Sequence, residues 1–367
     1  MPDQGRYSDE PTRVQQIIDN FLSGQSGSSL GVEGGPEAVL RLGADAKDDC
    51  AVFDVAGPAS IVVGSDYVRG PKFVLYEIGL LSRFDIGYYL VAANVSDIAA
   101  MGAVPLGVLT VVRYPNELDD AGFREIMAGI HQACADFGTL NVGGDIGNAE
   151  RIILSGTAVG ICSYGKVLSR AGAKPGDVLC ITGPCGLLGA AVAYFPKREA
   201  NKWSLPPDTE AALLDSWRRP RARVAEGKIL AGGELATACQ DTSDGLKATI
   251  EQIATASGVG FAVNELAVPI DPCVESVAKL MNVETLALAM SASSDLQLAF
   301  TVAPDKLSTC REEFRRYGLV LYEIGHATDQ SDHVRAIDAK GASRALPGVA
   351  WKHQKSDIST LVKHEGS

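Results

Sequence analysis

The sequence predicts a two-domain α/β protein, and three observations carry that reading. Short strand-like runs alternate with amphipathic helical patterns through both halves of the chain. A length of 367 residues suits two domains of ordinary size. Apolar residues make up 46% and charged residues 21%, a globular balance that can fill large cores.

Taken in order, residues 1–45 are polar and glycine-rich after the short helical patch VQQIIDNFL, and read as an N-terminal arm with freedom to move. A first domain is expected over 46–164. Its strands are CAVFDV and SIVVGSD, joined by a turn at Gly57 and Pro58. A helix over 84–101 leads into the strand PLGVLTVVRYP, and an amphipathic helix over 121–137 is capped by Gly138. TLNVGGD and RIILSGTAVGIC close this domain as strands. A second domain is expected over 165–367. It opens with the strand GDVLCITG and the helix LLGAAVAYF, and NKWSLPPDT reads as a loop. PRARVAEGKILA is a helix started by its proline, and LATACQ runs into the loop DTSDG and the helix LKATIEQIATASG. FAVNELAVP, the strand LQLAFTV, the helix DKLSTCREEFRRYG and the strand LVLYEIGHA follow.

Composition excludes several classes. A net charge of −12 argues against nucleic-acid binding, which needs clustered Lys and Arg. The one dense basic run, Arg218 to Arg223, reads as a solvated face at a helix start. No apolar run reaches a membrane span, and the first residues lack the apolar core of a signal peptide. Eight cysteines without a CxxC pair fit reduced, partly buried thiols, so a cytoplasmic protein is expected. The five histidines fall in no triad or HExxH setting, and GxSxG and GxxxxGK[ST] are absent. TGPCGLLGAA enters a helix from a strand, but its GxxGxxG spacing is not the dinucleotide fingerprint.

Aspartates mark the chemistry. Asp48 and Asp49 precede a strand, Asp66 ends one, Asp145 follows TLNVGG, and Asp241 and Asp244 flank Ser243. Each lies beside small residues that let a ligand approach. Carboxylates so placed point to one hard-cation site, suited to Mg2+ and through it to a triphosphate. Turns and helix caps explain any one of them alone better than a metal does; Asp241 can simply cap the helix at Leu246. Asp97 is harder to explain that way. It sits inside an alanine-rich helix, on one side with Asn94, Ile98 and Met101, where Asp is disfavoured.

DDCAVFD, GSD, DIGYYLVAANVSDIAAMGAVP, VGGD, GKVLSRAGAKPGDVLCITG, PR at 220 and 221, DTSDGL and SGVG follow one another over residues 47 to about 302. In that order they resemble the thiamine-monophosphate kinase family, of the superfamily that includes aminoimidazole ribonucleotide synthetase and selenophosphate synthetase. The resemblance implies an N-terminal domain whose strands join a partner's in a dimeric β-barrel, and a C-terminal α/β sandwich beside it. It implies ATP and Mg2+ as cofactors, a small-molecule acceptor and a homodimer. Asp49, Ser65, Asp66, Asp97, Asp145 and Asp241 would ligate metal and Asp244 a further ion. Gly144, Asp145, Arg170 and Ser243 would contact the nucleotide, and Asp49, Asp97, Asp145 and Asp241 would carry the catalysis.

The departures from the family pattern concentrate at the acceptor. Lys47 and Gly64 replace a glycine and a hydroxyl residue, and Lys72 stands before Phe73 where the family shows His. ASSDLQL replaces GGEDYEL, leaving Asp295 but exchanging glutamates for Ser294 and Gln297. Trp351 is kept, while Gln354 replaces an aromatic. Lys72, Ser294 and Gln354 are therefore the candidate acceptor contacts, and the acceptor is expected to differ from thiamine phosphate. An ATP-dependent synthetase that activates a carbonyl or amide oxygen, and a non-catalytic nucleotide-binding protein, remain the alternatives.

Overall fold

The computed structural model describes residues 29–31, 37–42, 48, 50–55, 59–68, 71–331 and 334–350. Asp49, Lys47, Trp351 and Gln354 lie outside them. The first sheet contains β1 (Ser29–Gly31), β2 (Glu37–Leu42), β3 (Ala51–Val55), β4 (Ala59–Val68), β5 (Val104–Tyr114), β6 (Asn141–Asn148) and β7 (Ile153–Ser163). Their order is β1-β2-β3-β4-β7-β5-β6, antiparallel except for the β5–β6 pair. Residues 29–31 and 37–42, read from sequence as part of an arm, thus extend this sheet: Leu40 pairs with Phe53.

Helix α1 (Pro71–Glu77) was not foreseen. Helix α2 (Arg83–Ala100) starts at a capping box in which Ser82 and Asp85 satisfy each other's backbone N–H. It packs across β4, β7 and β5 and against α3 (Asp120–Phe137), which ends at Gly138 in the left-handed conformation, as expected. The opposite face of the sheet leaves Leu106, Leu109, Val142 and Ile153 exposed.

The second sheet contains β8 (Val178–Ile181), β9 (Ala236–Asp241), β10 (Gly260–Asn264), β11 (Leu298–Val302), β12 (Tyr322–Thr328), β13 (Val334–Ile337) and β14 (Ser343–Ala345). Their order is β14-β13-β10-β12-β8-β11-β9. Helices α4 (Leu187–Tyr194), α5 (Pro207–Arg218), α6 (Val224–Gly232), α7 (Leu246–Ser257), α8 (Pro272–Met281), α9 (Thr285–Met290) and α10 (Leu307–Arg316) surround it. Alternate residues of its central strands enter two cores. Leu179, Ile181 and Ala299 meet Ile250 and Ile253 of α7, whereas Cys180, Leu298 and Phe300 meet Leu230 of α6 and Phe314 of α10. Burial on both faces is why these strands are almost wholly apolar.

Two expectations are corrected here. NKWSLPPDT is not all loop, because Pro207 starts α5. The basic run is a solvated face only in part, since Arg219 and Arg221 are exposed while Arg223 is mostly covered. Arg218 ends α5, Arg219 lies over the rings of Phe84 and Tyr88 at 4.8 and 5.0 Å, and Arg223 is largely buried beside Glu226. Helix α6 accordingly begins at Val224, beyond Pro220. The described cysteines are free, and burial raises thiols such as Cys134, pushed up to about 11. No described helix is long and apolar enough to cross a membrane.

Helix α2 joins the two domains. Met101 accepts from Leu168 N–H at 3.0 Å. Gly227 of α6 lies so close that a Cβ there would stand 2.1 Å from the Ala99 carbonyl oxygen. A glycine on α6 is thus a condition of the domain contact.

Candidate active site at the domain junction

Asp241 ends β9 with its carboxylate fully buried. Its Oδ2 accepts the Ser96 hydroxyl of α2 at 2.5 Å, and its Oδ1 accepts the Ser243 hydroxyl at 2.8 Å. Each serine is followed by a partly exposed aspartate, Asp97 in the first domain and Asp244 in the second. One buried carboxylate therefore fixes two Ser-Asp pairs from opposite sides of the junction. Burial raises the Asp241 pKa from its ordinary value, and the negative charge of Asp244 adds to this, while the two serine hydroxyls oppose it. A carboxylate desolvated beside a second one is a place where a cation is favoured. Asp241 does not act through its side chain as the cap of α7; Gly245 occupies that position.

Asn94, one turn before Asp97 on α2, is buried and joins this helix to β4. Its Oδ1 accepts the Asp66 N–H at 3.0 Å, and its Nδ2 donates to the Leu90 carbonyl at 2.9 Å. This brings the end of β4 to the same helix that carries Ser96 and Asp97. Ser65 and Asp66 are neighbours on a strand, and Ser65 is exposed, with its hydroxyl donating to the Gly156 carbonyl at 2.7 Å.

Asp145 stands apart. Asp66 pairs with Gly156, Gly156 with Thr110, and Thr110 with Gly144, so Asp66 and Gly144 share a row across four strands. Three strand spacings separate them by about 14 Å along the sheet. Asp145 is exposed and accepts from Arg113 at 2.6 Å. Gly144 has φ +144°, and a Cβ there would lie 1.7 Å from the Thr110 carbonyl oxygen, so only glycine lets β6 approach β5 here. The described members of the convergent cation site expected from sequence are spread along the sheet and the junction. Among the described residues, no three carboxylate, histidine or cysteine groups cluster closely enough to hold a metal. An Mg2+ site built from one or two carboxylates with phosphate and water oxygens needs no such cage.

Arg170 is held by Asp48, whose side chain is almost fully buried. Asp48 accepts the Ser169 hydroxyl at 2.8 Å and the Arg170 N–H at 3.2 Å, and its Oδ1 lies 3.5 Å from Arg170 Nε. Sequence reading placed Asp48 only beside Asp49; its partners lie more than a hundred residues downstream.

The segment 293–297 is buried and tightly bonded. Asp295 accepts the N–H groups of Gly186 at 2.6 Å and Leu188 at 3.1 Å, filling the N-terminus of α4. The anion position of TGPCGLLGAA is thus taken by the chain's own carboxylate. Burial raises the Asp295 pKa, against the pull of these backbone donors and Ser293. The Ser294 hydroxyl donates to the Ser243 carbonyl at 2.9 Å, tying this segment to the DTSDG loop. Gln297 Oε1 accepts the Thr182 hydroxyl at 2.9 Å. Lys72 lies in α1.

Ser96 and Arg113 were missed in the sequence, as were the partners of Asp48. Ser96 carries a visible signal, being a hydroxyl one residue before an unexpected helix Asp.

Known proteins match along most of the chain. The family described as AIR synthase related protein matches with its N-terminal domain over residues 47–162 and its C-terminal domain over 174–338. The thiamine-monophosphate kinase of Pyrococcus horikoshii is 30% identical, covering 86% of this chain and 95% of the relative. That of Methanopyrus kandleri is 35% identical over 68% of this chain and 75% of its own length. Among solved structures, AaThiL complexed with AMPPCP and TMP superposes with a TM-score of 0.74 at 22% identity, covering 94% of this chain and 97% of that one. A HypE-HypF complex gives 0.69 at 21% identity, covering 91% and 97%. The chain belongs to the thiamine-monophosphate kinase family of AIR synthase-related proteins.

Proposed function

We propose that the protein is an Mg2+- and ATP-dependent phosphotransferase that moves the γ-phosphoryl group to a small-molecule acceptor other than thiamine phosphate. The observation that carries the phosphotransfer reading is Asp241, buried at the junction and setting Asp97 and Asp244 on either side of it. The donor set fits Mg2+: it is all oxygen, and the charge acting on Asp241 is that of another carboxylate. Asp66, Asp97, Asp241 and Asp244 would hold metal, with Asp49 joining them from outside the described residues. Bound Mg2+ supplies neutralisation of phosphate charge as the transferred group passes between oxygens. Gly144, Asp145, Arg170 and Ser243 would position the nucleotide, Arg170 by the fork that suits phosphate. The acceptor oxygen forms its bond to the γ-phosphorus as the bond to the ADP oxygen breaks. No protein nucleophile takes part in this scheme, and catalysis rests on positioning.

The acceptor part rests on Ser294 and Gln297, which stand where the family carries glutamates and offer no negative charge to a thiazolium, while Asp295 between them is turned to the head of α4. Lys72 and Gln354 belong to the same reading as further acceptor contacts. Assaying the purified protein with ATP, Mg2+ and thiamine phosphate tests it. Slow or absent diphosphate formation, with nucleotide binding intact, is expected. Efficient formation overturns the acceptor assignment, and absence of nucleotide binding overturns the whole reading.

A homodimer belongs to the same proposal. The uncovered face of the first sheet, with Leu106, Leu109, Val142 and Ile153, suits burial against a second copy as a closed barrel. Light scattering should give twice the chain mass, and Val142→Glu should shift it towards the monomer.

A further inference from the structure

The segment after β14 crosses the second domain beside the DTSDG loop, and one lysine fastens it. Lys247, in the first turn of α7, donates from Nζ to the carbonyl oxygens of Leu346 and Gly348, both at 2.9 Å. Both acceptors lie about a hundred residues downstream. Glu251, one turn further along α7, is the carboxylate that feels the Lys247 charge. Beyond the lysine, Val349 N–H donates to the Ser291 hydroxyl at 3.0 Å, and Val349 accepts from Ala292 N–H at 3.0 Å. At its other end the segment is held by Arg344, which pairs with Glu265 and Glu284.

Residues 291–292 lie between this segment and the DTSDG loop. A Cβ on Gly245 would stand 2.3 Å from the Ser291 carbonyl oxygen and 3.0 Å from the Ala292 Cα. Two residues later, Ser294 donates to Ser243. Three stretches are therefore stacked: 241–245, 291–295 and 346–349. Lys247 rises from the first and grips the third. Lys247 lies two residues beyond Gly245, so the loop and this grip share one short stretch of backbone.

We infer that Lys247 is a positioning residue that couples the DTSDG loop to segment 346–349, so that a nucleotide seated against Ser243 and Asp244 also orders that segment. This rests on the proposed nucleotide site. A methionine in its place keeps the apolar stem and removes both donors, whereas an arginine can still reach two carbonyls.

Hydrogen exchange of the full chain, with and without Mg2+ and AMPPCP, tests the coupling at the amides of Ala292 and Val349. In the wild type the nucleotide should slow both. In Lys247→Met both should exchange faster without ligand, and the response to nucleotide should be lost. Because coupling is reciprocal, calorimetry should show nucleotide binding weakened about 5- to 10-fold in this variant. Lys247→Arg should restore both readouts towards wild type. Unchanged exchange in Lys247→Met, or a wild-type segment indifferent to a nucleotide that binds, overturns the coupling alone. Failure of Mg2+ and AMPPCP to bind the wild type overturns the proposed function as well.

Discussion

Asp241 and Asp295 are both fully enclosed carboxylates, and they flank the same strand. Asp241 pairs across the sheet with Leu298, at the start of β11, and Asp295 lies three residues before it. Their partners differ in kind. Asp295 is surrounded by backbone N–H groups at the head of α4, donors that are fixed and would themselves be unsatisfied without it. Asp241 is held chiefly by two serine hydroxyls, with the Ser243 backbone N–H beside them, and hydroxyls rotate and can accept as readily as donate. A carboxylate that completes a helix end is part of the framework. One held by rotatable hydroxyls beside another carboxylate is poised for a cation.

The strongest test of that contrast is Asp241→Asn. It should abolish Mg2+-dependent nucleotide binding by calorimetry, a loss beyond the roughly 10- to 100-fold typical of a supporting group. Its thermal midpoint should hold or rise, since an unfavourably buried charge is gone. If it unfolds early and still binds Mg2+, Asp241 is framework like Asp295. Ser96→Ala removes one of the two hydroxyls and should weaken Mg2+ affinity by about 10- to 100-fold, measured by the same titration.

Asp295→Asn should do the reverse, with nucleotide affinity retained and stability lowered by about 1–3 kcal/mol in urea unfolding. The cost should depend on pH. The Asp295 pKa is raised in the fold, so the folded state binds this proton more tightly than the unfolded chain. Its stabilising contribution is complete below the ordinary carboxylate range and is lost as pH rises through the folded value. The wild-type advantage over Asp295→Asn should therefore shrink from pH 4 towards pH 8. Smallest of all should be Arg113→Ala, which breaks an ion pair whose side chains are 37% and 61% exposed. Urea midpoints should register about 0.2–1 kcal/mol or less.

Much of this was legible in sequence where the signal is local. The capped helices, the apolar strands and the DTSDG loop are written in neighbouring residues, and the misplaced Asp97 drew attention to α2. Helix α5 was lost because PPDT reads as punctuation, although a proline also starts helices. Helix α8 carried its own signal in Asp271 before Pro272, an N-cap followed by a first-turn proline. The long-range pairings were not legible. Nothing near Asp295 announces amides 109 residues upstream, and nothing near Asp145 announces Arg113 on the adjacent parallel strand. The spread of the expected cation ligands has the same origin: among the described residues, strand order sets Asp145 apart from Asp66.

The bond between Ser96 and Asp241 also orders events in time. Its two ends are 145 residues apart, so during synthesis α2 emerges well before β9 exists. At about 5–20 residues per second, roughly 7–30 s pass before Asp241 is made. For that interval the alanine-rich end of α2 has no second domain to cover it, and the first domain travels with an apolar helix face open to chaperones. The junction cannot close before β9 is made, and a chain that stops short of β9 lacks the carboxylate that would close it.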